Sequence, residues 1–257
     1  VGLGGKVAIV TGSGRGIGRG IILKLAEKGA AVVVNAIGED SMNDTLRMLK
    51  DEGRKAIGVR ADVTKKDEVE KMMEATVKEF GRLDILVNNA GISRDAMLWQ
   101  MTEQQWDEVI AVHLKGAFLC TQAACKFMRE NKYGRIINIS SEGALIGNPG
   151  MVNYISAKAG LFGFTMAVAK ELAMWAKKEG CNITCNLLMP GYNETRVLAS
   201  VPEKIKEGFK AAIPLGRISN AREDIGNAVA FLASEEASYI TGVKFSVGGG
   251  LYMCLSS

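Results

Sequence analysis

Residues Lys6–Gly18, KVAIVTGSGRGIG, join a short apolar run to an amphipathic stretch through a turn holding Gly12, Gly14, Gly16 and Gly18. Lys6–Thr11 reads as a buried strand, and Arg15–Lys28 as a helix. Glycines let a backbone approach a pyrophosphate, while a helix start offers free N–H groups and a positive dipole. A glycine turn alone is common. Its place between strand and helix is what points to a dinucleotide.

The alternation continues outward from that turn. Strands are predicted at 31–35, 56–60, 83–88, 135–140, 183–188 and 243–247. Helices are predicted at 41–52, 66–80, 102–125, 154–177 and 222–233. Thr102 suits an N-cap, because Gln105 stands three residues on, as in a capping box. Continuous apolar strands alternating with helices call for a parallel sheet covered on both faces. The fold class is therefore α/β, a single-domain Rossmann-type doubly wound parallel sheet flanked by helices on both faces, over residues 1–257. The least regular stretch, 191–216, contains Pro202 and Pro214 and lies beyond the sixth strand, the place of a substrate lid.

Composition narrows the function. The chain has 47% hydrophobic and 23% charged residues and a net charge of +4, ordinary for a soluble globular protein. That charge argues against nucleic acid, and no Lys/Arg block concentrates it. The apolar runs 30–34 and 228–233 are too short to span a bilayer, and Val1–Lys6 lacks a signal-peptide core. Cys120, Cys125, Cys181, Cys185 and Cys254 make five, without a disulfide-domain spacing. Reduced thiols in a cytoplasmic protein are the simple reading. Cys181 and Cys185 have no second pair, and His113 is the single histidine, so no metal site is expected.

The chemistry lies in Tyr154-Ile-Ser-Ala-Lys158, with Ser141 thirteen residues before the tyrosine. The i, i+4 spacing puts phenol and ammonium on one helix face. A free tyrosine titrates near ~10, and a neighbouring positive charge favours tyrosinate. Tyr-x-x-x-Lys alone is also a frequent surface pair. Ser140 rivals Ser141, which has the better spacing.

The turn Thr11-Gly-x-x-x-Gly-x-Gly18, the segment Asn88-Asn-Ala-Gly91 and the Ser141/Tyr154/Lys158 set resemble the short-chain dehydrogenase/reductase family. The resemblance covers Lys6 to Met253. It implies a nicotinamide cofactor held at Gly12, Ser13, Arg15, Gly16, Ile17 and Gly18, with Asn35 and Ala36 ending the second strand. Asp62 and Val63 match the family's adenine contact, and Asn89, Ala90 and Gly91 its second signature. Pro190, Gly191 and Thr195 match the loop around the nicotinamide amide. It further implies Tyr154 as acid/base, Lys158 as ribose ligand that lowers the tyrosine's pKa, and Ser141 as partner of the substrate oxygen. Where relatives place an asparagine whose backbone holds a relay water, Val112-His-Leu-Lys-Gly116 has His113. Two readings stand for it: a packed core residue, or a support of the proton relay.

An acidic residue ending the second strand would select NAD. Ala36 stands there instead, and Arg15 resembles the basic residue that meets a 2′-phosphate, so NADP(H) is favoured over NAD(H). Glu39 and Asp40 pull the other way. Gly91-Ile-Ser-Arg-Asp-Ala-Met-Leu98 and 227–242 are similar to bacterial 3-oxoacyl-acyl-carrier-protein reductases. Val112–Gly116 and Cys181-Asn-Ile-Thr-Cys-Asn186 are more similar to 3-hydroxyacyl-CoA dehydrogenase domains. Both resemblances imply a β-oxo/β-hydroxy thioester on acyl-carrier protein or CoA. The alternatives are a cyclic, steroid-like or other small secondary alcohol and, from another class, a catalytically silent nucleotide-binding relative. Family members pair the helices bearing Phe118 and Met166 across a dimer interface, which implies a homodimer or homotetramer.

Overall fold

A computed structural model describes residues 1–194 and 203–255. Seven strands form one sheet: β1 (Val7–Val10), β2 (Ala31–Ala36), β3 (Ala56–Arg60), β4 (Ile85–Asn88), β5 (Tyr133–Ile139), β6 (Asn182–Pro190) and β7 (Lys244–Val247). Their order is β3-β2-β1-β4-β5-β6-β7, and each neighbouring pair runs parallel. The order reverses between β1 and β4, so a crevice opens at the carboxyl ends of those strands.

Both faces of the sheet are covered, which is why the strands read as unbroken apolar runs. Ala8, Val10, Val32, Val34, Ile85 and Val87 pack on the side of α1 (Gly16–Glu27). Their neighbours Ile9, Val33 and Leu86 face the other side, with α3 (Lys66–Phe80) and α5 (Gly116–Glu130). α2 (Glu39–Asp51) and α7 (Val152–Glu179) complete the two layers. A buried polar strut crosses the second side. Asn88 Nδ2 donates to Thr121 Oγ1 and Asn138 Oδ1 at 3.0 and 2.8 Å, and Asn138 Nδ2 donates to Thr165 Oγ1 at 2.9 Å.

The expected order of strands and helices is present, with several departures. The helix expected at 102–125 is α4 (Glu103–Ile110), a π-helical turn (Ala111–Lys115) and then α5 as far as Glu130. Its start is the expected capping box on Thr102 and Gln105. β5 begins at Tyr133 rather than 135, because Lys132 turns the chain with φ 52°. A short helix α6 (Gly143–Ile146) follows β5. Finally, the stretch expected to be irregular holds a helix, α8 (Glu203–Ala212), steadied by Lys206 and Lys210 on Glu203. A second π turn (Ala221–Ile225) leads into α9 (Gly226–Leu232), and a 3₁₀ turn (Leu251–Leu255) ends the described chain.

Among the described residues no helix is long and apolar enough to cross a membrane. None of them group three or more His, Cys, Asp or Glu side chains for a metal.

Candidate active site

The glycine turn sits where β1 meets the crevice. Thr11 fastens it to the β4 end: its backbone N–H donates to Val87 O at 3.0 Å, and its Oγ1 accepts from the backbone of Asn89 and Ala90, each at 3.0 Å. A Cβ on Gly12 would lie 2.8 Å from Ala90 Cα, so the approach of the two segments requires glycine there. Gly16 has φ +57° and nothing within 4 Å of a Cβ position; it borders open space. α1 begins at this residue without a side-chain cap, and its first helical bond is Arg19 N–H to Arg15 O at 3.2 Å. The N–H groups of Gly16, Ile17 and Gly18 therefore have no intrahelical acceptor and suit an anion. This cradle fits the pyrophosphate of a dinucleotide.

The other residues expected to hold the cofactor lie at the ends of β2, β3 and β6. Asn35 supports the turn from beneath: its Oδ1 accepts from Gly12 N–H at 3.2 Å, and its Nδ2 donates to Val59 O and Ala61 O. Ser13 and Asn35 exchange two further bonds, Ser13 N–H to Asn35 O and Asn35 N–H to Ser13 Oγ. Ala36 is nearly buried, and Arg15 is exposed at the rim. Asp62 accepts from the backbone and hydroxyl of Thr64, with Val63 behind it. Pro190 ends β6, and the N–H of Gly191 just after it donates to Val247 O at 3.2 Å. Thr195 lies outside the described residues.

Tyr154 and Lys158 project from the first turns of α7 toward the end of β5. Ser141 stands close enough to Tyr154 for its hydroxyl to ease the phenol's pKa downward. It also accepts from Gly143 N–H at 3.1 Å. Ser140 is engaged elsewhere, donating to Lys158 O at 2.8 Å, so Ser141 is the serine in the site. Lys158 Nζ donates to Ile139 O at 2.5 Å and lies 5.7 Å from the Tyr154 ring centre.

Burial pushes the Tyr154 phenol up, the Ser141 hydroxyl eases it, and Asp95 adds to the rise. Burial without an anionic partner brings Lys158 itself down to about 7. Removal from water is the first cause of both shifts.

His113 stands in the π turn, buried, its ring edge-on to Tyr154 with centres 5.3 Å apart. Its Nε2 is 3.0 Å from Ile92 N and 2.8 Å from Ile92 O, so the tautomer decides which bond forms. Nδ1 is buried without a partner, as is Asn88 Oδ1, and both residues line a crevice of about 10 Å³ with Thr11 and Lys158. Burial first, then Lys158, brings the imidazole down to about 3, so it stays neutral.

Two contributors had no sequence signal. Asn153 is fully buried: its Nδ2 donates to Arg94 O and Gln105 O, and its Oδ1 accepts from Tyr154 N–H at 2.7 Å. Glu142 is buried beside Ser141.

A dinucleotide cradle beside a serine, tyrosine and lysine at one crevice defines a nicotinamide-dependent oxidoreductase. It interconverts a ketone and a secondary alcohol. Residues 12–252 match a family model described as enoyl-(acyl carrier protein) reductase. The 3-oxoacyl-[acyl-carrier-protein] reductase FabG of Staphylococcus aureus is 44% identical over 249 residues, 96% of this chain and 98% of that protein. The FabG of Thermotoga maritima is 40% identical, over 97% and 98% of the two chains. A crystal structure of a Sinorhizobium meliloti protein assigned to the short-chain alcohol dehydrogenases superposes with a TM-score of 0.89 at 36% identity, covering 100% and 98% of the two chains. This chain belongs to the short-chain dehydrogenase/reductase family and is an NAD(P)-dependent enzyme of it.

Proposed function

We propose that the chain is an NADP(H)-dependent reductase of 3-oxoacyl thioesters carried on acyl-carrier protein or CoA. The observation that carries this is the meeting of Ser141, Tyr154 and Lys158 at the end of β5, in a chain so similar to carrier-protein reductases. When bound, the nicotinamide supplies a hydride to the carbonyl carbon. The chain's own residues handle the oxygen. Ser141 donates a hydrogen bond to it, and Tyr154 gives it the phenolic proton. Burial keeps that phenol protonated, which suits reduction. Lys158, with a value of about 7, can pass a proton toward Tyr154 at neutral pH. His113 supports this relay as a neutral imidazole whose Nδ1 borders the crevice shared with Lys158.

The remaining assignments follow the same reading. Ala36 offers no carboxylate against a 2′-phosphate and Arg15 is free at the rim, which supports NADP(H). Residues 191–216 act as the substrate lid, with Phe209 of α8 stacked on Tyr192 at 4.5 Å. Leu98, Leu145, Ile146 and Leu215 are exposed around the same end of the sheet and suit an acyl chain. Phe118 on α5, with Met166 and Met174 on α7, are exposed together and suit a homodimer or homotetramer; sedimentation as a monomer at micromolar concentration would contradict that. The free cysteines at 120, 125, 181 and 185 suit a cytoplasmic protein, and a purified chain found with intramolecular disulfides would speak against it.

The test follows NADPH and NADH fluorescence on adding acetoacetyl-CoA against a panel of cyclic ketones. Turnover of the thioester with NADPH is expected, and Tyr154→Phe loses about 1,000-fold in kcat. Preference for NADH, or for a cyclic ketone, overturns the cofactor or substrate assignment. A Tyr154→Phe variant as active as the parent overturns the mechanism.

A further inference from the structure

Glu142 follows Ser141 directly, yet its side chain turns away from the crevice into the junction of β5, β6 and β7. It is 1% exposed. Its backbone N–H donates to Pro190 O at 3.0 Å, and Ser246 Oγ donates to its Oε1. Oε2 is buried with no partner. Two glycines leave room for the carboxyl group. A Cβ on Gly248 would lie 1.8 Å from Oε2, and one on Gly191 would lie 3.0 Å from it. The carboxyl fills the space that a side chain at 248 would otherwise occupy.

No charge faces it among the described residues. α6 is Gly-Ala-Leu-Ile, β6 ends in Pro190 with Gly191 after it, and the 3₁₀ turn is Leu-Tyr-Met-Cys-Leu. Lys244 of β7 sits over the Phe162 ring, 5.4 Å from its centre. A carboxylate sealed among glycines and one hydroxyl would lack the partners that make a buried charge tolerable. Burial accordingly raises its pKa, against the opposing Ser246 bond.

We propose that Glu142 is a positioning residue that works as an uncharged carboxylic acid, fastening the Ser141 turn to the ends of β6 and β7. This rests on Ser141 as the partner of the substrate oxygen. The tie reaches further through neighbouring residues. Gly248 accepts from Leu251 N–H at 3.3 Å, and Gly249 O accepts from Leu215 N–H at 3.2 Å. Leu251 packs with Ile213, Ile218 and Tyr192 in a small core of their own. One carboxyl thus joins the serine turn to the base of the segment that follows β6.

The test compares the full-length parent with Glu142→Gln and Glu142→Leu. A group whose folded pKa is raised contributes stability that declines as pH rises from its unfolded value, 4.5, through its folded value. The Tm of Glu142→Gln minus that of the parent is therefore expected to widen by at least about 2 °C from pH 5 to pH 8. A gap independent of pH overturns the uncharged carboxyl, and this reading needs no substrate. In turnover of acetoacetyl-CoA, Glu142→Leu is expected to lose about 10- to 100-fold in kcat with NADPH binding retained, and Glu142→Gln to recover most of it. Parental kcat in Glu142→Leu, or loss in both variants alike, overturns the positioning role. If the parent itself does not reduce the thioester, the substrate assignment fails while the Tm series still decides Glu142.

Discussion

The π-helical turns at Ala111–Lys115 and Ala221–Ile225 share a backbone. Each runs into an α-helix whose first residue is glycine, Gly116 in one and Gly226 in the other. Both glycines allow a close approach. A Cβ would lie 2.8 Å from Val63 Cγ2 at Gly116 and 2.7 Å from Lys24 Cβ at Gly226. The side chains differ. In 221–225 Arg222 pairs with Glu27 and Glu52, and Glu223 with the buried Lys24. Asn220 caps that turn, accepting from the N–H groups of Arg222 and Glu223. In 111–115 His113 keeps an unpartnered Nδ1 against the crevice of Lys158. π-Bulges are frequent at functional sites, but here the backbone alone does not separate site from scaffold. The unpaired polar atom does.

That contrast breaks most visibly at Gly20. A Cβ there would lie 2.5 Å from the Ala221 carbonyl carbon and 2.7 Å from Arg222 N, both backbone atoms. Gly20→Ala is expected to lose about 2–3 kcal/mol, read as a Tm drop of about 4–10 °C, with kcat of the folded enzyme unchanged. A fall in kcat without a fall in Tm would place 221–225 in the working parts.

His113→Phe should do the reverse, lowering kcat about 10-fold with a smaller Tm change than Gly20→Ala. In the parent, the ring signals of this single histidine should not titrate between pH 5 and 8 by NMR. The folded value, about 3, lies below the unfolded 6.5. The stability it contributes is therefore present above pH 6.5 and lost as pH falls toward 3. A midpoint near neutrality would make His113 an ionising participant instead.

The smallest effect is expected from Arg222→Gln. Its carboxylate partners are about one-third exposed, so about 0.5–1 kcal/mol should be lost and less in high salt. A loss above that range, insensitive to salt, would show the scaffold turn depending on this one cation.

How much of this was legible in the sequence follows from what a linear pattern records. The strands were, because a sheet buried on both faces writes unbroken apolar runs. The meeting of Ser141, Tyr154 and Lys158 was, because a strand end and the start of the next helix fix their spacing. The π turns were not: one extra residue per turn leaves composition and approximate periodicity intact. Glu142 and Asn153 were not, since their burial comes from Gly248 and from Gln105, residues far away in the chain. The pKa order was also hidden. Lys158 finds the Ile139 carbonyl rather than the Tyr154 hydroxyl, a matter of a few ångströms at the end of β5.

The strut Thr121–Asn88–Asn138–Thr165 also ties distant motions together. α5 and α7, the helices with the exposed apolar face, are each bonded through it to a strand end beside the cofactor crevice. Neither helix can slide without stretching a buried hydrogen bond or carrying Asn88 with it. Load placed on the outer face is therefore delivered to the crevice as displacement, and a stiff outer face makes for a stiff active centre.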